Sequence, residues 1–125
     1  MTENEISYKI RGSIFKVYTE LGAGLFESVY EAALMYQLKK DGLKATSQVS
    51  VPVIYDGQNL DVGFRIDILV EDKVIIELKS VEELSKVHHK QMLTYLKLTN
   101  LKLGLLVNFN CDSILNSIHR KVNNL

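Results

Sequence analysis

The sequence has one cysteine, one proline and no excess of either charge, and each shortage removes a class of protein. A single thiol, Cys111, excludes an intrachain disulfide framework, and no Cys/His cluster has the spacing of zinc ligands, so a reducing interior suits the chain. Lys plus Arg and Asp plus Glu each number 15, which gives a formal net charge of zero with His neutral. No global positive field therefore gathers nucleic acid or anionic membrane, and any polyanion must be met by a local patch. No apolar run approaches the ~20 residues of a membrane helix, and the opening MTENEISYKI is acidic and polar where a leader would be basic and then apolar. The expectation is a cytoplasmic protein with no membrane partner. Repeats and low-complexity tracts are also missing, and the lone Pro52 falls inside an apparent strand. One domain over residues 1–125 follows, and at 46% hydrophobic composition it is long enough to bury a core without staples.

What is present reads as two helices, a run of strands, a helix and a strand. Ile6, Ile10, Ile14, Val17 and Leu21 fall at helical spacing behind a capping-box pattern, Thr2-x-x-Glu5. Leu21-Gly22-Ala23-Gly24 breaks that helix, and a second runs from about Phe26 until Asp41-Gly42 stops it. Val49, Val51, Val53 and Tyr55 then alternate with other residues, Asp56-Gly57 is a hairpin turn, and Leu60 to Val70 resumes an extended pattern. A second turn around Asp72 leads into Val74 to Lys79, giving three antiparallel strands in a meander. A third helix is expected from about Glu82 to Leu98, followed by Leu103 to Phe109 as a strand covered on both faces. In the tail, Ile114, Leu115 and Ile118 fit a helix, while Ile118 to Val122 equally fit an edge strand.

The second hairpin carries the chemistry. Asp67 and Glu77 lie symmetrically about Asp72, so a turn centred there makes them direct cross-strand partners. Opposed residues share a face with Cβ atoms roughly 4.5–5.5 Å apart. Lys79 points the same way by strand alternation, with Arg65 opposite it. The other face then collects Ile66, Ile68, Val70, Val74, Ile76 and Leu78 as core. Two carboxylates side by side raise each other's pKa unless something positive lies between them, and a divalent cation such as Mg²⁺, which takes one or two protein carboxylates and keeps water or phosphate in its other positions, meets that need. A neighbouring lysine can orient or deprotonate an attacking water. The implied chemistry is metal-assisted phosphodiester hydrolysis.

Asp67, then Glu77-Leu78-Lys79, then a helix bearing Gln91-Met92-Leu93-Thr94-Tyr95 resemble the PD-(D/E)XK nuclease superfamily and its Q-x-x-x-Y branch. Gly24-Leu25-Phe26-Glu27-Ser28-Val29-Tyr30 looks like the signature of its small GxxExxY family, and the resemblance runs from about Glu20 to Asn108. It implies an α/β fold of the restriction-endonuclease type: a mixed sheet whose three-stranded antiparallel meander is followed by a helix and a strand and preceded by two helices. It further implies Mg²⁺ or Mn²⁺ as cofactor and DNA as substrate. Carried over by position, Glu27, Asp67 and Glu77 surround the metal with the Leu78 backbone carbonyl, Lys79 serves the water, and Gln91 supports the site. Tyr30, His88 and Tyr95 are supporting residues, the last two on the stripe of Gln91. Ile66 stands where the superfamily usually has proline. A twofold dimer would be natural if both strands of a duplex are cut.

Each residue also has a plainer reading. Glu27 fits the first turn of any helix by dipole alone, and Asp67 and Glu77 fit a solvated sheet face. Lys79 fits a surface cation, and Tyr95 a core aromatic. Lys86, His88, His89, Lys90 and Lys97 supply local positive surface for a polyanion or simply a wet helix face, as do Lys39, Lys40 and Lys44. Cys111 reads as structural. The rival function is a catalytically inactive interaction module whose sheet face or edge strand docks a protein or another copy, supported by the neutral charge and small size.

Overall fold

Thr2 and Glu5 exchange side-chain and backbone hydrogen bonds in the expected capping box, which satisfies the first donors of helix α1 (Glu3–Leu21). Its stripe of Ile6, Ile10, Ile14 and Val17 is buried. After a turn in which Gly22 and Gly24 adopt positive φ, helix α2 (Glu27–Lys40) adds Tyr30, Leu34 and Leu38 to the same layer. The computed structural model describes all of residues 1–125.

Beyond Gly42 the chain forms β1 (Ala45–Tyr55), β2 (Gln58–Val70) and β3 (Val74–Lys79) as an antiparallel meander. Helix α3 (Lys86–Thr99) carries the chain back so that β4 (Leu103–Asn108) runs parallel to β3. A short 3-10 turn (Ile114–Ser117) then leads to β5 (Ile118–Val122), antiparallel on the outer side of β4. The sheet order is β1-β2-β3-β4-β5. This is the expected α/β class with a mixed sheet. Both readings of the tail hold in part: Ile114 and Leu115 lie in the turn, and Ile118 to Val122 form the edge strand. Helix α3 starts four residues later than expected because Ser85 supplies its cap. No helix is long and apolar enough to cross a membrane.

Helices α1 and α2 cover one face of the sheet and α3 the other. Ile68, Val70, Val74, Ile76 and Leu78, with Leu103, Leu105 and Val107 of β4, face α1 and α2 in a cluster of 20 buried residues. Ile66, Ile75 and Leu106 face Met92 and Leu96 of α3. Strands β3 and β4 are thus buried on both sides, as their continuous apolar runs require. Gly104 lets α3 approach: a Cβ there would lie 2.4 Å from Met92 Sδ.

One expectation fails. Ile66 does not join Ile68 and Val70 in the main core but lies across the sheet under α3. Gln48 of β1 sits at φ 53 between the Ser47–Ile68 and Val49–Ile66 pairs, and across that step the hairpin turns over. A left-handed residue inside a strand breaks the simple alternation on which the expectation rested. Asp67 occupies the crossover.

Candidate active site

The β2–β3 ladder pairs Val70 with Val74, Leu69 with Ile75 and Ile68 with Ile76, and the next step brings Asp67 to Glu77. At that step side chains replace the ladder. The Asp67 N–H donates to Glu77 Oε2 at 3.0 Å, and the Leu78 N–H donates to Asp67 Oδ2 at 2.8 Å. The strands therefore fork at the acids, each carboxylate holding the other strand's backbone. Arg65 lies beyond the fork, paired with Ser50, so it does not oppose Lys79 across a ladder as the arithmetic had it.

Glu77 and Lys79 alternate with Ile76 and Leu78, which face α1 and α2, and so share the α3 face with Ile75. Glu77 is only 6% exposed. Burial first, then the adjacent Asp67 carboxyl, pushes its carboxyl up to about 9, against weaker downward pulls from the Asp67 N–H and the Lys79 charge. Lys79 is half-buried and takes no part in the chain's ion pairs, which are Lys16–Asp41 and Lys44–Asp72. The latter withdraws Lys44 from any free basic patch. A buried acid beside a second acid, with an unpaired lysine in reach, is a site short of positive charge.

That chemistry tests the implied metal. The backbone donors engage only Asp67 Oδ2 and Glu77 Oε2, both carboxyls are hard oxygen ligands, and the pair is held together by backbone bonds that a cation need not break. The residues present fit a divalent cation. The expected third carboxylate is not gathered with them: no group of three His, Cys, Asp or Glu side chains is assembled to hold an ion. Glu27, first residue of α2, approaches round the carboxyl end of β3 and accepts the Ser80 N–H at 3.3 Å, while Ser80 Oγ donates to the Leu25 carbonyl at 2.6 Å. Its carboxylate is satisfied there by an N–H rather than set against two further acids.

The supporting residues divide by role. Tyr30 is fully buried, stacks on Phe109 at 4.3 Å, donates to the Gly22 carbonyl at 2.6 Å and accepts the Leu25 N–H at 3.2 Å. It fixes the turn that delivers Glu27. His88 accepts the Ser85 N–H through Nδ1 at 3.1 Å and so closes the capping box whose N-cap is Ser85. Tyr95 stacks on Phe64 at 4.1 Å, and its hydroxyl is pushed up by burial and then by the Glu77 and Asp67 charges. It forms one wall beside the acids. Gln91, one turn earlier, is exposed.

Sequence reasoning missed Ser80, Phe64 and the buried Asn108, whose amide bonds both the N–H and the carbonyl of Val81 and so fixes the loop after β3. Only the position of Ser80, directly after Glu77-Leu78-Lys79, could have marked it. It also missed a cleft of about 540 Å³ at the carboxyl end of β4, where His89 and His119 meet edge to face at 5.1 Å with Cys111 and Asp112 nearby. Burial, then the Lys121 charge, lowers both imidazoles' affinity for protons.

Comparison with known families matches residues 4–121 to a model described as the PD-(D/E)XK nuclease superfamily. Comparisons with curated proteins and with solved structures gave no significant match.

Proposed function

The chain belongs to the PD-(D/E)XK nuclease superfamily, and on that premise we propose that it is a metal-dependent nuclease that hydrolyses DNA phosphodiester bonds with Mg²⁺ or Mn²⁺. The observation that carries this reading is the fork, where Asp67 and Glu77 are locked together by backbone bonds beside an unpaired Lys79. The turn pinned by Tyr30 ahead of Glu27 supports assignment to the GxxExxY family within it. A reducing compartment, the cytoplasm, suits the free thiol of Cys111.

Asp67, Glu77 and the Leu78 carbonyl would hold the ion, with Glu27 leaving Ser80 to join them. A divalent cation held there would stabilise charge on the phosphoryl oxygens and lower the pKa of a coordinated water. Lys79 hydrogen-bonds the attacking water, helps draw off its proton and offsets the charge that grows on the phosphoryl group. Water adds to phosphorus, the bond to the leaving oxygen breaks, and that oxygen takes up a proton. Gln91 positions water or a backbone phosphate from the rim, and the Phe64–Tyr95 stack keeps bulk water off one side. Exposed Lys86, Lys90 and Lys97 of α3 supply the local positive surface that a neutral chain otherwise lacks.

Purified protein given Mg²⁺ or Mn²⁺ and a panel of single-stranded, duplex, flapped and junction DNA, with RNA beside them, should cut at least one form. Asp67→Ala and Glu77→Ala should each abolish the cutting, and Lys79→Ala should slow it by at least about a hundredfold. Cleavage that survives all three substitutions belongs to a contaminant and removes the proposal.

A further inference from the structure

Strand β2 pairs with β3 only through Ile68 to Val70, so most of the β1–β2 hairpin is a two-stranded ribbon. Its inner part, with Val49, Val51, Phe64 and Ile66, rests on α3. Its outer part rests on nothing: every residue from Ile54 to Gly63 is exposed. A lone two-stranded ribbon is marginal in water, and this one carries Ile54, Tyr55, Leu60 and Val62 at 56%, 71%, 45% and 68% exposure. From Ser50 to Phe64 its only charges are Asp56 and Asp61, neither in an ion pair. An apolar, acidic tip repels phosphates and calls for an apolar, basic protein surface.

The chain owns such a surface. A groove of about 610 Å³ along α1 is lined by Tyr8, Phe15 and Leu115, exposed by 81%, 48% and 54%. Gly12 leaves it open, with nothing within 4 Å of where a Cβ would stand. Lys9 and Arg11 border it without ion pairs, whereas Lys16 is already held by Asp41 at 3.0 Å. Two free acids and an apolar tip thus match two free bases and an apolar groove.

We infer that the hairpin tip docks in the α1 groove of a second copy of this chain, and that the exchange is reciprocal. Reciprocity follows from size. A stable interface buries ~1,200–2,000 Å² in total, more than one hairpin tip offers, and a twofold arrangement in which each copy gives a tip and a groove doubles the contact. The inference is independent of the catalytic reading.

Sedimentation of the full chain over a range of concentrations should show a monomer–dimer equilibrium. Val62→Glu in the tip and Phe15→Glu in the groove should each weaken it by at least about a hundredfold, with the helical circular dichroism unchanged. Asp56→Lys/Asp61→Lys makes tip and groove both basic, and Lys9→Glu/Arg11→Glu makes both acidic, so each double variant alone should be monomeric. Mixed, they complement each other at both contacts and should dimerise, which also shows that both are folded. A wild type that is monomeric throughout, a dimer indifferent to these changes, or a mixture that stays monomeric would each overturn the inference.

Discussion

On the α1/α2 face of the sheet 20 buried residues interlock in one cluster, whereas on the α3 face five do. Glu77, Lys79 and Tyr95 belong to the thinner side, where the remaining contacts are half-buried side chains such as Phe64, Leu69 and Leu84. The difference teaches how a small domain accommodates a buried acid. Stability is concentrated where the layers are fully apolar, and the face left thin has room for charged groups whose burial is itself unfavourable. Substitutions on the two faces should therefore fail in different ways.

The sharpest contrast sets Lys79→Ala against Leu34→Ala. The first removes a half-buried amine with no ion pair and should lower the single-turnover cleavage rate by about 10²–10⁴-fold while the thermal midpoint stays within a degree or two. The second opens a cavity in the thick layer and should remove about 2–5 kcal/mol of unfolding free energy in urea, with the rate of the folded fraction unchanged. A Lys79→Ala protein that melts early, or a Leu34→Ala protein that folds well and cuts poorly, would break the division.

Glu77 is where the two demands meet. Between the ordinary 4.5 and about 9, the folded protein keeps a proton that the unfolded chain has released. Raising the pH through that window therefore weakens the metal-free fold, and the stabilisation by the bound proton is fully present only below 4.5. Urea titrations in the presence of a chelator should show stability falling from pH 5 to pH 9 in the wild type, with Glu77→Gln markedly flatter and more stable at the alkaline end. An equally steep fall in Glu77→Gln would assign the dependence to other groups. The smallest effect concerns the wall: Phe64→Leu should cost about 0.5–1.5 kcal/mol from the lost stack on Tyr95 and should slow cleavage less than Lys79→Ala does.

Much of this was legible because it is local. The Thr2–Glu5 cap, the α1 stripe and the symmetry of Asp67 and Glu77 about Asp72 all follow from spacing along a few residues, and each has its counterpart in the structure. The hairpin's turnover at Gln48 was not legible, because a glutamine at positive φ carries no compositional mark, and with it went the placing of Ile66 and Arg65. The tie from Glu27 to Ser80 and the clasp of Asn108 on Val81 span 53 and 27 residues, distances over which periodicity says nothing. The capping role of His88 was missed for another reason. A stripe on a helix identifies neighbours, but at the first turn a side chain that can cap is drawn to the backbone instead.

The account rests on Asp67 and Glu77 sharing one divalent ion, and calorimetric titration of Mn²⁺ at pH 7 tests it most directly when repeated in buffers of different ionisation enthalpy. One ion per chain should bind with release of the Glu77 proton, and both the binding and the proton should be lost in Glu77→Gln. Equal affinity in wild type and Glu77→Gln, or binding without proton release, would contradict it.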